Sequence, residues 1–158
     1  EAQFNNAVNT YGKGLLHFVY GNLKDLDESR SIVQDTFETL WVKRDQIIIE
    51  SVKSFLFTVA YRKTKVYLRK HRFTKMDENA HTEALNSHDD GTKDLIHKAL
   101  KQLPDLQRQL VELRDLHGFD YKEIERIMDL KESQVKVYLF RARKSLKTII
   151  TQLEAVKL

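Results

Sequence analysis

Apolar residues recur at helical spacing along almost the whole chain, and one proline and five glycines are all that interrupt 158 residues. An apolar residue every three or four positions buries one face of a helix, whereas a half-buried strand needs strict alternation. Runs of the second kind are missing, so the pattern predicts an all-α fold. The spacing predicts helices over residues 4–20, 27–41, 52–72, 93–102, 104–116, 121–128 and 133–153. Val8, Tyr11, Leu15, Phe18 and Val19 line the first, and Gly21-Asn22 is expected to close it. Ile32, Val33, Phe37, Leu40 and Trp41 line the second, which begins with Asp27 and Glu28 at the positive end of the helix dipole. Residues 42–50 break the periodicity, and Ile47, Ile48 and Ile49 are expected in a buried loop or a short strand. Pro104 suits a first helical turn, and Gly118 suits the break after the same helix.

Periodicity also fails over residues 73–92, which are polar and read as a linker. Two small helical domains are therefore expected, 1–72 and 93–158, joined by a flexible acidic segment. Fully extended, such a segment reaches about 65–70 Å, roughly two turns of DNA. Charge follows the same division. Residues 1–72 hold 12 Lys/Arg against 8 Asp/Glu, residues 73–92 hold 1 against 5, and residues 93–158 hold 14 against 10. Two basic blocks around an acidic one suggest modules that face nucleic acid, because Lys and Arg release counterions condensed on phosphate. Solvated helix faces give the same count.

Several function classes find no support. Without cysteine there is no disulfide, thiolate metal site or cysteine nucleophile. No apolar run approaches the roughly 20 residues of a membrane span, and a secretory signal is missing, so a cytoplasmic protein without membrane insertion is expected. The six histidines are scattered, with no pair at metal-ligand spacing on one helix face. No glycine-rich phosphate loop or nucleophile elbow occurs. The chain reads as non-enzymatic, with no cofactor and no metal.

Two segments carry recognisable chemistry. In residues 120–146, Asp120 and Glu123 have capping-box spacing, and Ile124, Ile127 and Met128 form one apolar face. Asp129-Leu130-Lys131 makes a tight turn in which Asp129 best tolerates a left-handed backbone. Val135, Leu139, Ala142 and Leu146 then line a longer helix that carries Lys136, Arg141, Arg143, Lys144 and Lys147 and no acid between residues 133 and 153. Two helices across a brief turn, the second basic, describe a helix-turn-helix whose second helix enters a major groove. An ordinary helical hairpin with a solvated basic face fits the same residues. In residues 61–72, Arg62, Lys63, Lys65, Arg69, Lys70, His71 and Arg72 alternate with Tyr61 and Tyr67. Cations neutralise phosphate and aromatic rings stack on unpaired bases, which suits single-stranded or opened nucleic acid. Tyrosines continuing the stripe from Phe55 and Val59 would instead be core.

The order of these segments resembles the extracytoplasmic-function sigma factors of bacterial RNA polymerase. Ile32-Val33-Gln34-Asp35-Thr36-Phe37, ending at Leu40-Trp41, is similar to their polymerase-binding helix. Ser54-Phe55-Leu56-Phe57-Thr58-Val59-Ala60 and the basic run after it resemble their helix for promoter melting and −10 reading. Leu100-Lys101-Gln102-Leu103-Pro104, Tyr121-Lys122-Glu123-Ile124, Val135-Lys136 and Arg141-Ala142-Arg143 resemble their −35-reading domain. The resemblance covers nearly the whole chain in the right order.

That resemblance implies a subunit that binds core RNA polymerase and directs promoter-specific initiation, with promoter DNA and an anti-sigma factor as further partners. It implies polymerase contacts through Gln34, Asp35, Glu38, Phe37 and Trp41, made to the clamp helices of the largest subunit. It implies −10 contacts through Tyr61, Arg62, Lys63, Lys65, Arg69 and Lys70, and capture of a flipped −10 base by residues 43–53. For the −35 element it implies Ser133, Gln134, Lys136, Val137, Tyr138, Arg141, Arg143 and Lys144, and for the acidic linker a path through the polymerase interior. The chain departs from the family pattern at several positions. Arg62 and Val66 stand where Asn and Asp are common, Glu125 where Ala is usual, and Asp129 where the turn has Gly. Gln134, Val137 and Tyr138 stand where Thr, Ser and Arg are commoner, so promoter preference does not transfer. Glu125 is expected to reach solvent or a basic neighbour, because burying it unpaired is costly. Two other functions fit the residues: a stand-alone helix-turn-helix regulator, and a sigma-like module that binds polymerase without reading promoters.

Overall fold

A computed structural model describes residues 1–71 and 91–156. Arg72 and most of the acidic linker, residues 73–90, lie outside the described residues, whereas Gly91 and Thr92 already belong to a helix. The described residues contain helices and no strand. The chain divides into two compact units, Glu1–Ala80 and His81–Leu158.

The first unit packs three helices on one another: α1 (Ala2–Leu23), α2 (Leu26–Lys43) and α3 (Val52–Lys70). Leu15, Phe18 and Val19 of α1 meet Ile32, Phe37 and Leu40 of α2 and Leu56, Phe57 and Ala60 of α3 in the core. The rings of Phe18 and Phe57 lie 5.6 Å apart, within the range where aromatic pairs attract. Thr36 and Thr64 are fully buried there, and each hydroxyl donates to the carbonyl four residues back, Ile32 and Ala60, at 2.7 Å. A hydroxyl satisfied within its own helix is tolerated in a core. Helix α1 does not close at Gly21-Asn22. It continues to Leu23, because Asn22 is buried and its Nδ2 donates to the Phe18 carbonyl at 2.9 Å. Lys24 makes the turn instead, at φ 57°. The Asp25 side chain then accepts the Glu28 amide at 3.1 Å and caps α2.

Between α2 and α3 the isoleucine run forms neither a strand nor a buried loop. Two short 3₁₀ turns, Arg44–Gln46 and Ile49–Ser51, span it, and Ile48 and Ile49 are 65% and 64% exposed. Among the described residues no strand is present to bury them, so β-branching alone decides nothing here.

The second unit contains α4 (Gly91–Lys101), α5 (Asp105–Val111), α6 (Tyr121–Met128) and α7 (Glu132–Val156). Leu95, Ala99, Leu110, Leu113, Phe119, Ile124, Ile127, Val135, Leu139 and Ala142 form its core, with α4, α5 and α6 all packed against α7. Pro104 caps α5 from just outside the helix, where a missing N–H is harmless. The helix predicted over 104–116 changes geometry at Glu112. Residues Glu112–Leu116 form a π turn in which the His117 amide reaches the Glu112 carbonyl, and Gly118 at φ 74° ends it. None of the helices among the described residues is long and apolar enough to cross a membrane.

Candidate nucleic-acid and protein interfaces

The tight turn between α6 and α7 is built from local hydrogen bonds. Asp120 Oδ1 accepts the Glu123 amide at 2.8 Å while Glu123 Oε1 accepts the Asp120 amide at 3.3 Å, completing the capping box. The Glu123 amide holds the Asp120 carboxyl below the usual carboxylate range. Asp129 stands at φ 54°, and the amides of Asp129 and Leu130 both donate to the Glu125 carbonyl. Gln134 Oε1 accepts the Lys131 amide at 2.9 Å and starts α7. Glu125 is half-buried and forms no ion pair among the described residues, so part of it reaches solvent.

With Val135, Leu139 and Ala142 buried, helical geometry turns Ser133, Val137, Phe140 and Lys144 to the opposite side of α7. All four are exposed, and Arg141 borders them. Phe140, 69% exposed, was not among the residues expected from sequence; its spacing of three from Val137 and seven from Ser133 is the signal that finds it. The other −35 candidates are placed differently. Gln134 and Tyr138 are half-buried, and Gln134 is engaged in capping. Lys136 pairs with Glu132 at 3.1 Å and lies 5.9 Å above the Tyr121 ring. Arg143 does not project freely. Its Nη2 and Nε donate to the two Asp115 carboxylate oxygens at 2.7 and 3.2 Å, a bidentate tie from α7 to the π turn.

In the first unit, Gln34, Asp35, Glu38, Trp41 and Val42 share one exposed stripe of α2. Trp41 is held in place: the Phe4 ring meets it edge-on at 5.0 Å, and the Arg44 guanidinium covers it at 4.0 Å while donating to its carbonyl. Val42, 77% exposed, joins the stripe although sequence reading omits it. Phe37 does not belong there. It is buried against α1, where the Phe4 ring meets it edge-on at 6.3 Å.

Helix α3 corrects the basic segment in the same way. Its core residues Leu56, Phe57, Ala60 and Thr64 turn Arg62, Lys65, Val66 and Arg69 outward. Neither Arg62 nor Arg69 forms an ion pair among the described residues. Tyr61 is buried 6.3 Å from the Phe18 ring, so its face cannot stack on a base, and burial pushes its phenol up. Tyr67 turns inward too. It stacks on His71 at 4.1 Å, and burial followed by the carboxylates of Glu28 and Asp25 raises its phenol. Lys63 is half-buried and lines a shallow groove with Asp35, Glu38, Thr39, Val42 and Lys43, on the α2 side rather than with Arg62. Lys70 is exposed near the end of the helix.

Among the described residues no group of three or more His, Asp or Glu side chains converges as a metal site would require.

Residues 93–146 match the family described as Sigma-70, region 4. The ECF RNA polymerase sigma factor SigM of Bacillus subtilis (strain 168) is 30% identical over 146 residues, 88% of this chain and 90% of that protein. Among solved structures, the sigma factor RpoE from Bartonella quintana, in complex with the anti-sigma factor NepR, aligns with TM-score 0.75 and 24% identity, over 96% of this chain and 98% of RpoE. CnrH, in complex with the cytosolic domain of CnrY, aligns with TM-score 0.65 and 20% identity over 94% and 88%.

Proposed function

This chain belongs to the extracytoplasmic-function sigma factors, and from that membership we propose how its residues divide the work of promoter-specific initiation. It binds core RNA polymerase, directs it to particular promoters in the cytoplasm, and performs no chemistry of its own. Residues 1–72 bind polymerase and read and melt the −10 element, residues 73–92 pass through the polymerase interior, and residues 93–158 read the −35 element. Gln34, Asp35 and Glu38 beside Trp41 and Val42 combine apolar contact with acidic surroundings, which suits a positively charged helical surface. Arg62, Lys65 and Arg69 neutralise phosphates, and residues 43–53, with Ile48 and Ile49 exposed, hold the flipped base. Helix α7 enters the major groove with Ser133, Val137, Arg141 and Lys144 toward the duplex. An anti-sigma factor is a further partner, as NepR is for RpoE.

The observation that carries this reading is the outward face of α7, exposed and bordered by cations beyond a capped tight turn, within the stretch that matches sigma-70 region 4. Kinship along 88% of the chain supports it over a stand-alone regulator, for which residues 93–158 would suffice. Footprinting tests it. With core polymerase the chain should protect two stretches upstream of the start site, and Arg141→Ala with Lys144→Ala should weaken only the upstream one. Protection of a single stretch by the chain alone, unchanged by polymerase, would make it a stand-alone regulator.

A further inference from the structure

The centre of the outward face of α7 is apolar. Val137 is 46% exposed and Phe140 69%, while Arg141, Lys144 and Lys147 stand exposed around them. Cations in this arrangement fit the phosphates that border a groove, which leaves Val137 toward its floor. A valine side chain neither donates nor accepts a hydrogen bond. Of the base edges in a major groove, only thymine offers an apolar group, its C5-methyl. Opposite cytosine, adenine or guanine, Val137 would cover an amine or a carbonyl that then loses its water without gaining a partner, which is costly. Attraction and exclusion therefore point to the same base.

We propose that Val137 makes this chain select a thymine at one position of its −35 element through the C5-methyl group. The proposal rests on α7 being the helix that enters the major groove. No hydrogen bond takes part in the choice, so the selected feature is one carbon atom.

Single replacement of each −35 thymine by deoxyuridine removes that carbon and leaves every base-pair hydrogen bond in place. Holoenzyme of the full chain and core polymerase should bind about fourfold more weakly at one such position, the value for losing one buried methyl. Holoenzyme carrying Val137→Ser should bind the thymine and deoxyuridine probes equally, with helicity checked by circular dichroism. A probe series in which no position responds would overturn the proposal, as would a penalty that persists in Val137→Ser but disappears in Phe140→Ala. Arg141→Ala with Lys144→Ala separates the two levels. If that pair lowers affinity for every probe while deoxyuridine costs nothing, α7 still binds the groove and only the methyl selection fails. If neither has any effect, the placement of α7 in the groove fails as well.

Discussion

Asp35 and Phe37 lie two positions apart on α2 and have opposite surroundings. Asp35 is exposed on the stripe with Gln34, Glu38 and Trp41, and Phe37 is buried against α1. Asp35→Lys is therefore expected to raise the dissociation constant for core polymerase about tenfold, with the circular dichroism spectrum unchanged. An unchanged constant would remove Asp35 from the contact. Glu112 is the other residue with a measurable consequence. Burial raises its carboxyl to about 7, against the attraction of Arg108, whose Nε is 3.7 Å away. A carboxyl with a raised folded pKa favours the folded state while protonated, so stability falls as pH rises from about 4.5 to about 7. The loss is at most about 3 kcal/mol. Glu112→Gln should flatten that decline in thermal denaturation between pH 5 and 8, while Arg108 keeps its 2.8 Å pair with Asp105. Equal slopes in the two proteins would rule the residue out. The surroundings of Phe37 and Tyr61 are partly legible in the sequence, since Phe37 belongs to the apolar stripe of α2 and Tyr61 follows the apolar residues of α3. Those of Glu112 and Arg108 are not, because charged side chains at surface-helix spacing give no sign of burial.

Three features closed by near neighbours are legible in the sequence, whereas the end of α1, where Asn22 bonds to the Phe18 carbonyl and Lys24 turns the chain, is not. The capping box of Asp120 and Glu123, the left-handed Asp129 and the glycine break at 118 all depend on contacts within a few residues. Asp120→Ala removes the acceptor for the Glu123 amide and should lower the stability of the second unit by about 1 kcal/mol. Urea unfolding measures this as a shifted midpoint at unchanged slope, and an unshifted midpoint would mean that the turn does not depend on the cap. The π turn had no sequence signal. Its extra residue per turn arises where Phe119 reaches the Leu113 carbonyl and Asp115 is tied to Arg143. That tie holds Arg143 of α7 to a partner 28 positions away, which the spacing of basic residues along α7 does not reveal. The outcome for Ile47, Ile48 and Ile49, expected in a buried loop or a short strand, is not legible either, since no strand among the described residues pairs with them and Ile48 and Ile49 are exposed.

At the scale of the molecule, each unit has its own apolar core, and each presents cations on a helix face turned away from that core. Two basic blocks around an acidic segment were visible in the charge count alone, but charge does not say which cations face outward. Tyr61 is buried and an ion pair engages Arg143, whereas Arg62, Lys65, Arg69, Arg141 and Lys144 keep an exposed position. Bound to polymerase, the chain brings these faces to act together on a promoter. Transcription from a randomised promoter library, with core polymerase and with or without the chain, measures this most directly. Discrete start sites that require the chain and share two upstream sequence elements are expected, the farther one lost with Arg141→Ala. Transcription that is independent of the chain, or tight duplex binding by a chain that does not associate with polymerase, would contradict it.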